Sequence, residues 1–360
     1  MFLALREFRH AKMRYALITL VIAMVASLVF ILSALANGLA AGSSEAVEAI
    51  HADRFAVATG SEYSLDRSRI SPETAQAIVA ANGVSDAQPF TTVVGSVHKL
   101  DETELIGVSV IGVTPDTFLE PGVVSGESLR DRPDGIVIDQ SLANRGVKIG
   151  DTLIFEPGGI GLAVVGITDG HQYRLAPTLF VSLDEIANLQ PDLDGNVSAV
   201  AIRGENLDTL PDHVDGIQMA SARDIVEHLP GYTEQNMTLT LIQLFLVVIA
   251  ALVIAAFFFI LTLQKMQELG VMKALGATTW VLARALMIQS LILAAIGILI
   301  GIVVGDSLWY AAEGVVPYKV QWQQMLTYSA LLLLVAAVGT LLSLIRIARV
   351  DPLDAINRAN

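Results

Sequence analysis

Residues 265–278 read "KMQELGVMKALGAT". Two lysines, one glutamate and two glycines sit here between two long apolar runs. Upstream, Leu239–Leu263 contains no charged residue; downstream, Val281–Val304 contains only Arg284, near its start, where it can snorkel to an interface. Each run is long enough for an α-helix of about 20 residues, the length that crosses ~30 Å of hydrocarbon. Two further runs, Tyr15–Ala36 and Met325–Ile345, meet the same criterion and carry no charge. The quoted stretch therefore joins the second and third of four predicted spanning helices. It is itself predicted to be helical, since Gln267, Glu268, Met272, Lys273, Ala274 and Leu275 favour that state and Gly276 ends it.

The whole chain fits this reading. Of its 360 residues 53% are hydrophobic, more than a soluble domain carries. Basic residues precede the first run, as in a signal peptide, and "SALANGLAAG" resembles a cleavage site, but the apolar stretch outruns the 7–15 residues of a signal core. Retention as a helix is expected. Arg6, Arg9, Lys12 and Arg14 precede that run; Lys265, Lys273 and Arg284 surround the second connection; Arg346, Arg349 and Arg358 follow the fourth run. The 306–324 connection has only Lys319. The positive-inside rule then puts both termini and the 264–281 loop in the cytoplasm.

The segment after the first span is outside on the same rule. Residues 41–235 carry 30 Asp or Glu against 11 Lys or Arg, and the rest of the chain is net positive. An acidic head of this kind repels nucleic acid and anionic lipid. No cysteine is present, so no disulfide staples it, a weak pointer to a bacterial chain.

The expected organisation is a membrane α-helical protein with four transmembrane helices and an extracytoplasmic α+β domain inserted between helices 1 and 2. Its segments are 1–14, a cytoplasmic N-terminal helix; 15–40, the first span; 41–235, the outer domain; 236–264, the second span; 265–280, the charged connection; 281–305, the third span; 306–324, a short outer loop; 325–346, the fourth span; and 347–360, a cytoplasmic tail. The first segment reads either as an amphipathic surface helix, with Phe2, Leu5, Phe8 and Met13 toward lipid, or as plain topogenic charge. In the outer domain, "SPETAQAIVAANGV" has a helix N-cap at Ser71, Pro72 in the first turn and Gly83 as a stop. "RFAVATG", "FTTVVGSVHKL", "LIGVSVIGV", "GIVIDQ", "TLIFE" and "LAVVGIT" are β-branched runs punctuated by glycine, hence strands. Gly297, Gly301 and Gly305 repeat every four residues in the third span and read as a close helix–helix seam; the other reading is that glycine is simply common in membrane helices.

Catalytic signatures are missing. The sequence holds no P-loop stretch, no H-E-x-x-H, no paired-cysteine zinc spacing and no G-x-S-x-G turn. The six histidines are scattered. No catalytic residue, metal site or intrinsic cofactor is expected.

The quoted stretch resembles the cytoplasmic segment of FtsX/MacB-type (type VII) ABC transporter permeases. Their pattern of a basic residue, Glu-[Leu/Ile]-Gly and [Arg/Lys]-Ala-Leu-Gly-Ala stands here as Lys265, Glu268–Leu269–Gly270 and Lys273–Ala274–Leu275–Gly276–Ala277. "RVDPLDAI", Arg349–Ile356, resembles the terminal R-x-x-P-x-x-A-[Leu/Ile] of the same family. The resemblance implies a bacterial plasma-membrane subunit that forms a homodimer in the lipid bilayer and works by mechanotransmission. A separate cytoplasmic ABC ATPase binds the ATP and docks on Lys265, Glu268, Leu269, Gly270, Lys273, Gly276 and Ala277. In length and in the single small outer domain the chain looks most like the haem-exporter (HrtB/DevC) branch, which makes haem the expected transported substrate. Two other branches imply different work: a non-transporting FtsX-like signal relay to an extracellular cell-wall hydrolase, or release of lipoproteins and other lipophilic substrates.

Covalent haem attachment is excluded because C-x-x-C-H is absent. Reversible ligation needs donors beside an apolar slot. Just beyond the first span Glu45, Glu48 and His51 follow at three-residue steps along one helical stripe. Met237 stands at the mouth of the second span. These four are the candidate haem contacts, and a symmetric dimer presents them twice. The alternative reading is a solvated helix face just outside the headgroups.

Overall fold

The computed structural model describes residues 12–100, 102–205, 207, 210, 214–312 and 318–348. The N-terminal stretch 1–11, His213 and the terminal motif from Arg349 lie outside them. In chain order a long helix α1 (Lys12–Ala49) leads into β1 (Arg54–Ala58), α2 (Pro72–Val79), β2 (Val84–Lys99), β3 (Ile106–Val113), β4 (Val123–Gly126) and β5 (Ile136–Asp139). There follow α3 (Gln140–Asn144), β6 (Thr152–Glu156), β7 (Ile160–Thr168), β8 (Thr178–Ser182), α4 (Leu183–Leu189), β9 (Ala199–Gly204), β10 (Ile217–Ala220) and α5 (Ala222–Glu227). The last elements are α6 (Tyr232–Gln264), α7 (Met266–Ala274), α8 (Thr279–Ala312) and α9 (Trp322–Ala348). Leu39–Asn236 forms one compact unit, and the flanking segments form another.

Among the described residues of the outer unit the strands form one ten-stranded mixed sheet. Six of them make a closed hydrogen-bonded circuit: β2 pairs β3, β3 pairs β8, β8 pairs β5, β5 pairs β7, β7 pairs β6, and β6 returns to β2. Closure removes the unpaired edges that an open sheet exposes. Alternation of side chains in each strand fills the interior with Val108 and Val110, Ile136 and Ile138, Leu153 and Phe155, Leu162 and Val164, and Leu179 and Val181. From β2 come Val93 and Val97; the position between them is Gly95, where a Cβ would lie 2.4 Å from the Phe155 ring. The glycine makes room for that ring. The other half of β2 pairs β9, which carries β1 and β10.

A second core lies on the opposite face of these strands and takes in Phe55, Phe90, Ile111, Val137 and Phe180 together with Ala46, Val47 and Ile50 from the end of α1. Helix α1 therefore runs past residue 40, because its last turns have an apolar core to enter. Ser71 caps α2 by accepting from the Thr74 N–H at 3.2 Å, with Pro72 opening the helix.

Among the described residues four helices are long and apolar enough to cross a membrane: Lys12–Ala49, Tyr232–Gln264, Thr279–Leu308 and Trp322–Leu342. The glycine stripe of α8 lies on α1. A Cβ at Gly297 would stand 2.7 Å from Ile22 Cγ2, and one at Gly301 would stand 2.8 Å from Ala26 Cβ and 2.9 Å from the Ser27 nitrogen. Without side chains the two backbones meet, which maximises dispersion contact where lipid offers no hydrophobic drive. Gly339 of α9 does the same against Ala255 of α6, at 2.8 Å from its Cα. Ser33 and Asn37 both donate to Gln324 Oε1, at 3.1 and 2.8 Å, and tie α1 to the first turn of α9.

Candidate functional site

The charged stretch is built as a short helix pinned at both ends. At its start the chain turns at Lys265, whose N–H donates to Thr262 O at 3.1 Å, and α7 begins at once. The Lys265 side chain points inward and is only 4% exposed. Its Nζ donates to Gln289 Oε1 of α8 at 2.9 Å and lies 5.7 Å from the centre of the Tyr15 ring of α1. Next to it Arg14 reaches Gln264 Oε1 at 3.2 Å. The helix axis places Leu269 one turn on, where it is buried with Leu282 and Leu286 of α8, flanked by Met266, Met272, Ala277 and Ala283.

The far end is closed by a Schellman arrangement. Gly276 adopts φ +99°, its N–H donates to Lys273 O at 3.1 Å, and the Ala277 N–H donates to Met272 O at 3.0 Å. Among the described residues nothing lies within 4 Å of a Cβ built there, so the glycine serves its own backbone angle rather than a close approach. Glu268 in the first turn and Lys273 in the last complement the helix dipole.

The outward face is unusual. Glu268 is exposed, and so are Val271, Leu275 and Trp280, the last two at 84% and 75%. The stretch thus combines an inward anchor of Lys265 and Leu269 with an outward face of one acid and three large apolar groups. Val271 and Trp280 lacked a polar pattern that would mark them from sequence. Gln289 had one, as a lone amide within an apolar run.

The outer candidates are placed differently from one another. Glu45 and Glu48 lie on the last turns of α1, half-buried and exposed respectively. The helix stops at Ala49, so His51 leaves the stripe. It takes φ +52°, and its ring Nδ1 lies 2.6 Å from Ala49 O. Met237 is an exposed side chain on α6, in the helical unit. Among the described residues no group of three or more His, Cys, Asp or Glu is arranged to hold a metal ion.

Comparison with known families gives two adjoining matches. A model of the MacB-like periplasmic core domain matches residues 15–218, and one of the FtsX-like permease C-terminal region matches residues 240–352. Among similar proteins is one from Staphylococcus haemolyticus named as a hemin transport system permease, HrtB, 26% identical over 98% of both chains. A protein of the same name from Staphylococcus epidermidis is also 26% identical over 98% of both. An uncharacterized ABC transporter permease of Mycobacterium tuberculosis is 24% identical over 99% of both chains. Proteins of this kind are subunits without an enzymatic activity of their own. The chain belongs to the FtsX/MacB-type permeases of ABC transporters and is a multi-pass membrane protein with a large extracytoplasmic domain.

Proposed function

We propose that this chain is the permease subunit of a haem exporter driven by a separate cytoplasmic ATPase. In this reading the termini and α7 face the cytoplasm, two copies form the membrane part, and nucleotide-driven closure of the ATPases is passed through the helices to the outer domains. The observation that carries the ATPase contact is the two-sidedness of the 265–281 segment. Lys265 and Leu269 fix it to α1 and α8, while Glu268, Val271, Leu275 and Trp280 are presented outward. An exposed Trp on a rigid mount is the kind of group that supplies anchor contacts in protein interfaces, and the neighbouring Val271 and Leu275 add apolar area around it. Lys273, Gly270, Gly276 and Ala277 belong to the same surface in this reading.

Haem as cargo is supported by the full-length similarity to proteins named for hemin transport. Glu45 and Glu48 are the proposed donors, since carboxylates suit ferric iron, and Met237 is a further donor of the right type. The test has two arms. Trp280→Ala with Leu275→Ala abolishes co-purification of the ATPase and its stimulated hydrolysis while the chain still inserts; undiminished coupling overturns the docking surface. Hemin added to the purified chain gives a ligated absorption spectrum that weakens in Glu45→Ala, Glu48→Ala or Met237→Ala. An identical spectrum and affinity in all three discards these donors, and no spectral change in the unaltered chain discards haem.

A further inference from the structure

The outer end of α1 is held by a turn that the coupling segment does not account for. The Ala176 N–H donates to Tyr173 O at 3.1 Å and the Tyr173 N–H to Ala176 O at 3.3 Å, which closes a two-residue hairpin. Its central residues, Arg174 and Leu175, have φ +58° and +59°. This is the type I′ pattern, which glycine, asparagine or aspartate normally supplies. For two residues with Cβ atoms the left-handed conformation costs roughly 1–2 kcal/mol each. Strain of this size persists only where surrounding contacts fix it.

Those contacts all come from or around α1. The Leu175 N–H donates to Gly42 O at 2.8 Å, the Arg174 N–H donates to Ser43 O at 3.1 Å, and the Ala46 N–H donates to Gln172 O at 3.0 Å. The loop therefore engages both polar groups of the Gly42–Ala46 rung of the helix. Gly42 allows it: a Cβ there would meet Gln172 Oε1 at 2.9 Å and Leu175 Cδ2 at 3.2 Å. Outside the turn Arg174 forms an ion pair with Asp66. Beneath it Tyr173 is buried in the core that also holds Ala46, Val47 and Ile50. Helices bend at Gly/Ser pairs and where another group enters the hydrogen-bond ladder, and "GSS" at 42–44 meets both conditions.

We infer that the 172–175 turn is a latch that couples α1 to the outer domain, with Gly42 as the hinge of the helix and the Arg174–Asp66 pair as its lock. The inference rests on the mechanical permease reading above. Helix α1 is one element from Lys12 to Ala49; it carries Tyr15, beside Lys265, near one end and the latched rung near the other. Displacement of α1 then reaches the sheet through three backbone hydrogen bonds rather than through the covalent link after Ala49 alone. Gly42, Arg174 and Asp66 are positioning residues and touch no substrate.

The chain has no cysteine, so single labels can be placed without background. Met13→Cys reports on the start of α1 and Val94→Cys on the outer sheet; both positions are exposed. The labelled full chain is assembled with its ATPase in lipid nanodiscs, and spin-label spectra are compared with and without a non-hydrolysable ATP analogue. Both labels respond in the otherwise unaltered chain. In Gly42→Leu and in Arg174→Ala the Met13→Cys response and ATP hydrolysis persist, while the Val94→Cys response falls about two- to thirtyfold, the span over which residues in a coupling chain change a response. Arg174→Lys, which keeps the charge, restores much of it. An undiminished Val94→Cys response in both disrupting variants overturns the latch. A lack of response at both labels in the unaltered chain overturns the mechanical reading itself, and the latch with it.

Discussion

Lys265 donates its ammonium to the Gln289 side-chain oxygen across 2.9 Å, and both side chains are buried. The pair ties the first residue of the charged segment to α8, while the Gln289 Nε2 finds no hydrogen-bond partner among the described residues. A hydrogen bond to a charged group contributes about 1.5–3 kcal/mol, and losing one partner of a buried pair costs more than replacing both. Gln289→Leu is therefore expected to lower stability by about 2 kcal/mol, and the double variant Lys265→Met, Gln289→Leu to recover part of that loss. Thermal unfolding of the purified chain in nanodiscs checks both. Equal unfolding temperatures for Gln289→Leu and the unaltered chain contradict the assignment.

The glycine stripe of α8 is not uniform, and this makes a sharper test than its spacing. At Gly301 a methyl group would press on Ala26 Cβ at 2.8 Å and on the Ser27 nitrogen at 2.9 Å, whereas at Gly305 the nearest atom is 3.7 Å away. Backbone cannot move aside as a side-chain tip can. Gly301→Ala is expected to destabilise by about 1–3 kcal/mol, as overpacking does, and Gly305→Ala to be close to neutral. Unfolding temperatures of the two variants should separate clearly; if they coincide, α8 and α1 are not in this register.

The sequence carried the short-range features well and the long-range ones poorly. The four apolar runs, the Ser71 cap and the four-residue glycine repeat are local patterns, legible within a few turns of chain. The closed six-strand circuit depends on β6 returning to β2 from more than fifty residues along the chain, and nothing local in "TLIFE" announces that partner. The span of α1 reads as ending near residue 40, because hydropathy drops there, while the spacing of Glu45 and Glu48 carries the helix on beyond it; the buried Ala46 and Val47, small and modestly apolar, give no sign of the core that this extension enters. Spacing alone puts His51 on the same stripe as Glu45 and Glu48, and the stop at Ala49 removes it. Lys265 reads as exposed in any charge pattern, since burial of a lysine is settled by a partner from elsewhere in the chain. The Arg174–Leu175 turn was invisible because it lacks the glycine or asparagine that normally signals its shape.

Gly276 supplies the third prediction. Its φ of +99° lies where only glycine is unstrained, and no atom of the described residues crowds it, so a substitution acts through the backbone. Gly276→Ala is expected to cost about 1 kcal/mol. The loss falls on the Gly276 and Ala277 amides, which close the end of α7 on Lys273 O and Met272 O. Hydrogen exchange at these two amides should accelerate about fivefold, the rate equivalent of 1 kcal/mol. Unchanged exchange would show that the cap does not depend on the glycine.

The capping box at the start of α5 gives a pH dependence whose sign can be fixed. Asp224 accepts from both the Ser221 hydroxyl and the Ser221 N–H at 2.7 Å, and these bonds, the hydroxyl first, hold its carboxyl below the ordinary value of 3.8. A carboxylate with a depressed folded-state pKa stabilises fully above its unfolded value and loses that contribution as pH falls through the folded one. Ser221→Ala removes the hydroxyl bond and is expected to cost about 1 kcal/mol at neutral pH. Once the pH falls through the depressed folded-state value, which lies below 3.8, the protonated carboxyl gains little from Ser221 in either chain, so the gap between the two should narrow as the solution is acidified. Part of the gap persists, because the Ser221 hydroxyl also accepts from the Asp224 N–H at 3.2 Å, a bond that does not titrate. Acid titration of the two chains, followed by the unfolding temperature at each pH, reads this directly. A gap that stays constant from neutral pH down to the acid limit means the carboxylate is not held by Ser221.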